Sequence, residues 1–300
     1  MKYFISIVIT CFVIHTSLAQ GDGTRAYWPV PAGTNMVTPL YFHINSNAAF
    51  NNPLVVAEAE FETNLYGAMY TRVFNLAGRS AAVIAMVSGG TLNGEISGLI
   101  EGETSGMADT YVIGLVNLYG APSVDLETYM QTKYNFAADV IVAFRAPTGS
   151  YDADRILNIG TNRWEFKLGF PMMKFFNWGT NKVISIELVP TLSLFTDNTD
   201  ISGTNASLEQ TALFNLEGHV TRKFSKLIWG SFDYLYRNGG RTSLGGVNNN
   251  DLINALQIGG TVGFDINPKI ATYVTYGGIV AQNTNGLDGD FLKLSFSYNW

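Results

Sequence analysis

The sequence has almost no cysteine. Its one copy among 300 residues, Cys11, sits in an apolar N-terminal run after Thr10, a poor setting for a lipid-modified cysteine. The chain beyond that run therefore has no disulfide, no thiolate nucleophile and no cysteine metal site. Histidine is nearly as scarce, with three copies, and charged residues make up 14%. The formal charge of −6 is spread without a basic block, so nucleic acid is not an expected partner. No P-loop, His-Glu-x-x-His, nucleophile elbow or dinucleotide fingerprint occurs, so no catalytic residue, metal or cofactor is expected. Past residue 19 no run of 18 apolar residues exists, which argues against a membrane-spanning helix.

What is present begins with a leader. Lys2 supplies a positive start, Tyr3 to Ile14 an apolar stretch, and Ser17-Leu18-Ala19 the small residues a signal peptidase reads. Residues 1–19 are expected to be a signal peptide and 20–300 one exported domain, with 20–35 ahead of the first strand.

Aromatic residues reach 13% although charge is sparse. That balance is odd for a soluble exported protein and suits a surface that faces lipid. Period-2 alternation runs through the chain. In Phe291–Trp300, Leu292, Leu294, Phe296, Tyr298 and Trp300 oppose Lys293, Ser295, Ser297 and Asn299. The same alternation marks Arg163–Phe170, Lys182–Thr196, Ala212–Phe224 and Asn254–Ile266, and also Leu227–Tyr236, where Trp229 and Leu235 break the polar side. It is fainter in Met36–Asn45, Leu65–Phe74, Ala81–Val87, Gly94–Ile100, Thr110–Tyr119, Tyr134–Phe144 and Ile270–Tyr276.

About thirteen candidate strands, in a class with even strand numbers, predict a single closed antiparallel transmembrane β-barrel of about twelve strands, with fourteen the alternative. Short periplasmic turns such as Asn267–Lys269 alternate with longer outer loops at Asp197–Gln210, Arg237–Asp251 and Gln282–Asp290. A soluble sandwich also alternates, but aromatic residues at strand ends and sparse charge favour lipid outside. Closure follows because unpaired backbone groups are too costly in hydrocarbon. The expected location is the outer membrane, with lipid outside and the assembly machinery engaged through Phe291–Trp300.

The polar faces then point inward. Arg163, Glu165, Lys167, Glu187, Glu217, His219, Asp233 and Asp265 are candidate lumen-lining residues, either pairing across the interior or steering a solute. His219 invites a second reading as the base of an outer-membrane lipid hydrolase, which needs a serine hydroxyl within hydrogen-bond reach of it or of His43. Arg25, Tyr27 and Trp28, in a stiff aromatic stretch before the first strand, are candidates for a plug inside the barrel or a strap beneath it.

Several stretches resemble the phenol-degradation MetA-pathway family of outer-membrane transporter-like proteins. They are Gly23-Thr24-Arg25-Ala26-Tyr27-Trp28-Pro29, Pro31-Ala32-Gly33-Thr34-Asn35, Phe74-Asn75-Leu76-Ala77-Gly78-Arg79, Gly106-Met107-Ala108-Asp109 and Val116-Asn117-Leu118-Tyr119-Gly120-Ala121-Pro122. The most specific are Ala146-Pro147-Thr148-Gly149-Ser150-Tyr151-Asp152 and Leu157-Asn158-Ile159-Gly160-Thr161-Asn162-Arg163-Trp164-Glu165-Phe166-Lys167. Thr196-Asp197-Asn198-Thr199-Asp200 and Asn238-Gly239-Gly240 continue the series. One departure is that Leu168-Gly169 follows Lys167 where family members often have Pro-Glu. The resemblance implies a channel for small hydrophobic or aromatic solutes, with no catalytic residues to carry over. A structural or adhesion barrel with a blocked lumen is the alternative.

Overall fold

A computed structural model describes residues 21–49, 55, 59–96, 100–201, 204–284 and 286–300. The expected leader, residues 1–19, lies outside the described residues. The strands are β1 (Asn35–Ser46), β2 (Ala59–Leu76), β3 (Arg79–Ile96), β4 (Ile100–Met107), β5 (Thr110–Tyr119) and β6 (Phe136–Ala146). Next come β7 (Glu165–Gly169), β8 (Met172–Phe176), β9 (Ile184–Phe195), β10 (Leu208–Gln210), β11 (Leu213–Lys223) and β12 (Ile228–Gly239). The last are β13 (Thr242–Leu244), β14 (Val247–Asn248), β15 (Ile253–Asn267), β16 (Ile270–Gln282) and β17 (Gly289–Asn299), and one helix, α1 (Leu126–Gln131), lies between β5 and β6.

Fourteen ladder segments reduce to a barrel of twelve strands, because β4 and β5 continue one another on β3, and β7 and β8 do so on β9. Every neighbour is antiparallel, and β17 pairs with β1 to close the ring. The closing seam is fastened at the chain's end by reciprocal bonds between the backbones of Asn35 and Trp300, each 3.0 Å. Closure leaves no edge to be desolvated.

The period-2 faces sort as the alternation requires. Trp164, Phe166, Leu168 and Phe170 point outward and are exposed, as are Ile186, Leu192, Leu194, Val262, Phe264, Leu294, Phe296, Tyr298 and Trp300. This apolar, aromatic outer surface is what a bilayer solvates and water does not. No described helix is long and apolar enough to cross a membrane, so crossing falls to the strands.

The connections differ at the two ends. On one end Ala77-Gly78, with φ of 50° and 84°, makes a two-residue turn, and Asn267 Oδ1 accepts the amides of Lys269 and Ile270. The other end carries the long loops, and β10, β13 and β14 form a small separate sheet there. By the usual barrel arrangement the first end is periplasmic and the second outer.

Four sequence expectations need correction. Gly94–Ile100 is not a separate strand: Gly94–Ile96 extends β3 and Ile100 opens β4, while 97–99 lie outside the described residues. β2 and β3 are 18 residues each, longer than the roughly ten needed to cross, so they rise past the membrane at the outer end. Arg237–Asp251 is not all loop, since Arg237–Gly239 completes β12 and β13 and β14 follow. Helix α1 was not expected from the sequence. Asp125 caps it by accepting the Thr128 amide, a bond that holds the Asp125 carboxyl below the usual carboxylate range.

Candidate functional site: the lumen and its N-terminal segment

The inner faces of β1, β2, β3 and β5 carry no charged residue among those described. They present Leu40, Phe42, Ile44, Leu65, Met69, Ile84, Met86, Ile113 and Leu115 to the interior. The inner faces of β6 to β15 carry Asp139, Arg145, Glu165, Lys167, Glu187, Glu217, His219, Lys223, Asp233, Arg237 and Asp265. The lumen therefore has an uncharged wall, apolar with Thr38, Thr71, Ser80, Ser88 and Asn117 interspersed, and a charged wall.

Residues 21–34 run inside the barrel against the charged wall. Glu217 accepts the backbone amides of Asp22 and Gly23, both at 2.8 Å. The approach is so close that a Cβ on Gly21 would lie 2.1 Å from the Glu217 carboxyl carbon, so no larger residue fits there unmoved. Thr24 Oγ1 meets Thr221 Oγ1 at 2.7 Å. Glu187 accepts the Arg25 amide at 3.1 Å and the Trp28 indole N–H at 2.8 Å. Lys167 lies 3.7 Å from Asp22, which also accepts the Tyr27 hydroxyl at 2.6 Å.

Arg25 is the most heavily held residue of the segment. Its guanidinium bonds Asp265 at 3.1 Å and lies between two indoles, 4.3 Å from the Trp28 ring centroid and 4.6 Å from that of Trp229. Trp229 itself donates to Asp265 at 3.1 Å. It lies flat because its neighbour on β15 is Gly263, where a Cβ would fall 2.1 Å from the indole. The sequence breaks at Trp229 and Leu235 are thus inward residues, buried to 3% and 4% exposure. Trp229 is a seat for Arg25, and Leu235 belongs to an apolar cluster with Ile44, Ile253 and Phe291. No alternation rule marks an inward tryptophan as a cation seat.

Toward the periplasmic end, Trp28 packs at 5.5 Å from both Phe175 and Trp178, and Trp178 contacts Tyr129 of α1 and Tyr134. The segment leaves through bonds from Ala32 N–H to Val124 O and from Gly33 N–H to Val73 O, then enters β1.

Of the remaining predicted positions, Asp233 accepts from Ser231, from Thr261 and from His219 Nδ1, the last at 2.7 Å. His219 Nε2 meets Glu217 at 2.8 Å. With a carboxylate at each ring nitrogen, both nitrogens donate and neither is turned to a serine hydroxyl. His43 points outward and contacts Asn64 at 2.9 Å. Arg163 does not lie on a strand as expected, because β7 begins at Glu165, yet its side chain reaches inward to Gln210 and is buried. Glu165 pairs with Arg145 at 3.0 Å. Sequence reasoning placed Lys293 on a polar face without naming it a candidate, and missed Arg145, Lys223 and Arg237. Each occupies an inward slot of an alternating strand, so their parity was the available signal.

Between the segment and the apolar wall a cavity of about 1750 Å³ extends along the barrel, from Ala48 and Leu287 at the outer end to Val30, Lys269 and Trp300 at the periplasmic end.

The family described as "Putative MetA-pathway of phenol degradation" matches residues 46–296. The chain belongs to this family. Its fold is similar to that of an outer-membrane channel from Pseudomonas putida F1, at a TM-score of 0.77 and 20% identity, covering 94% of this chain and 100% of that one. The β-domain of the Bordetella autotransporter BrkA is a more distant likeness, at a TM-score of 0.52 and 7% identity over 89% of this chain and 100% of that one. No curated protein matches the sequence. Membership and fold together make this family member an outer-membrane β-barrel.

Proposed function

We propose that the barrel admits small apolar compounds, aromatic ones above all, across the outer membrane by passive diffusion, with residues 21–34 acting as an inner plug. The observation that carries this reading is the cavity bounded on one side by an uncharged wall. A neutral aromatic solute loses little by leaving water for Leu40, Phe42, Leu65 and Met69, whereas an ion or sugar loses its hydration there. The family's link to phenol degradation and the channel name of the P. putida relative support the same direction. The charged wall serves the plug: Lys167, Glu187, Glu217 and Asp265 all bind it. Residues 1–19 are read as a leader removed on export, and Phe291–Trp300 as the strand that the assembly machinery handles.

The dense bonding of the plug favours one other reading, a structural barrel with a sealed lumen. A reversible lock separates the two. Thr24 and Thr221 have hydroxyls 2.7 Å apart, so a Thr24→Cys/Thr221→Cys pair is placed to form a disulfide that pins the plug. Labelled toluene uptake is measured in cells with an intact lipopolysaccharide outer membrane. Uptake above empty-vector cells, lost on oxidation and regained on reduction, is the expected result. Wild-type uptake no greater than that of empty-vector cells overturns the channel reading. Uptake indifferent to the lock leaves the channel and removes the plug as its gate.

A further inference from the structure

Arg163 and Arg237, at the outer end of the charged wall, are not hydrogen-bonded to the plug. Arg145 and Arg237 lie near the outer ends of β6 and β12, and Arg163 immediately precedes β7. All three line the cavity, together with Gln210, Asn215 and Phe195. Three carboxylates act on them: Glu165, whose oxygens are engaged by Arg145 at 3.0 Å and the Ser193 hydroxyl at 2.8 Å, and, toward Arg163, Asp197 and Asp109, the latter accepting from the Gly149 and Thr161 amides and the Thr161 hydroxyl. Glu217, also within electrostatic reach of Arg237, is taken by the plug and by His219.

Guanidinium N–H groups are consequently left over. Arg163 is 6% exposed; its Nη2 bonds Gln210, and its Nη1 has no partner. Arg237 Nε is buried and has none either. Burial, and after it the charge of Arg145, push the Arg163 guanidinium down to about 10, still charged at neutral pH. A buried, charged donor without an acceptor costs more than almost any other polar defect. An apolar surface adjoins these groups: the Arg163 guanidinium lies 4.8 Å over the Phe195 ring, and Leu213, Leu235, Ile253 and Phe291 line or back the same end of the cavity.

We infer that these arginines form a binding station for an organic carboxylate with an apolar tail, such as an aromatic or medium-chain aliphatic monocarboxylic acid. Arg163 and Arg237 supply free N–H groups to the carboxylate, and the adjoining apolar cluster takes the tail. Guanidinium suits this role because its planar fork matches a carboxylate's two oxygens. The inference rests on the channel reading for access from outside, but concerns a step of its own: capture of an anionic solute at the outer end of the charged wall.

The test compares two ligands of equal shape. Radiolabelled 3-phenylpropionate and its alcohol, 3-phenylpropanol, are equilibrated with the protein in nanodiscs, with empty nanodiscs subtracted. The wild type is expected to bind the carboxylate about tenfold more tightly than the alcohol, as one to two charge-assisted hydrogen bonds allow. Arg163→Met/Arg237→Met is expected to abolish that preference, and Arg163→Lys/Arg237→Lys to keep part of it. Equal binding of the two ligands by the wild type, which needs no variant to fold, overturns the station, as does a preference unchanged in the Met double variant. Toluene uptake by cells is read alongside. Uptake with no carboxylate preference removes the station and leaves the channel; a preference with no uptake does the reverse.

Discussion

The two walls of the lumen are built from the same kind of strand and do opposite things. Strands β6 to β15 face inward with acids and bases, and most of those groups are spent on the N-terminal segment and on one another. Strands β1, β2, β3 and β5 face inward with leucine, isoleucine, methionine and phenylalanine among threonines and serines; Ile113 packs against Tyr27 of the plug and Ile44 against Leu235, and the rest of the face borders the cavity. The difference shows how one barrel can hold a polar plug firmly and still leave an apolar surface free beside it. Charge complementarity is concentrated on one half of the circumference, so the other half need carry no charge.

The comparison breaks most severely when a charge is placed on the apolar wall. Met69→Asp sets a carboxylate against the cavity, and toluene uptake by cells is expected to fall about tenfold or more, from the cost of moving an apolar solute past a hydrated ion. The barrel itself should still migrate as a heat-modifiable band, since the side chain faces open space. Equal uptake by the variant would mean that solute does not use this wall.

The charged wall is broken next by Glu217→Ala. It strips the acceptor from two plug amides and from His219, and is expected to weaken plug seating by about 2–4 kcal/mol. Reactivity of a Thr24→Cys reporter, buried while the segment is seated, toward a water-soluble maleimide, in a Cys11→Ser background, should rise in proportion. Arg25→Ala is a smaller change. It removes a partly exposed ion pair and a stack between two indoles, together about 1–2 kcal/mol, read with the same reporter. If Arg25→Ala exceeds Glu217→Ala, the aromatic seat and not the carboxylates holds the plug.

The smallest effect sharpens the comparison at the periplasmic end. Burial, with Tyr134 beside it, pushes the Tyr129 hydroxyl up from its ordinary 10.0 to about 12. The folded state thus favours the neutral phenol, and its stabilisation is complete below pH 10.0 and is lost as the pH climbs to about 12. Tryptophan fluorescence from Trp28 and Trp178 should shift over that interval, and Tyr129→Phe should remove the shift.

The same asymmetry decides what could be read from the sequence. Apart from β6, whose inner face is mostly alanine and isoleucine, and β12, broken at Trp229, strands of the charged wall alternate sharply, because an apolar outer face opposes a polar inner one. Lys182–Thr196, Ala212–Phe224 and Asn254–Ile266 therefore predict β9, β11 and β15 to within one or two residues. Met36–Asn45, Leu65–Phe74, Ala81–Val87 and Thr110–Tyr119 are faint because their inner faces are largely apolar too, with only a few residues such as Thr38, Thr71 and Asn117 to mark them. Alternation reports a wet interior and fades where the interior is dry, so the half of the lumen proposed to carry solute was the half least visible. The inward charges could be named by parity, but their partners could not, since no spacing rule connects Glu217 or Glu187 to residues 195 and 162 positions earlier. Trp229 and Arg163 departed from the pattern for separate reasons. The first faces inward to seat a cation, and the second lies ahead of its strand while its long side chain reaches back.

The seam between β1 and β17 joins the two walls, since β1 contributes Leu40, Phe42 and Ile44 and β17 contributes Lys293, held over the rings of Phe42 and Tyr273. It is also the pairing of greatest contact order, because it brings together the first and last strands of the chain. Its loop-closure entropy is opposed by few local contacts, so it belongs late in folding. Before that step the apolar wall is an unsupported half-cylinder open to water on its inner side. The conduit therefore has no partly formed version: it comes into being at closure, and a barrel arrested before the seam zips would be a sheet with two greasy faces, the species most prone to aggregate.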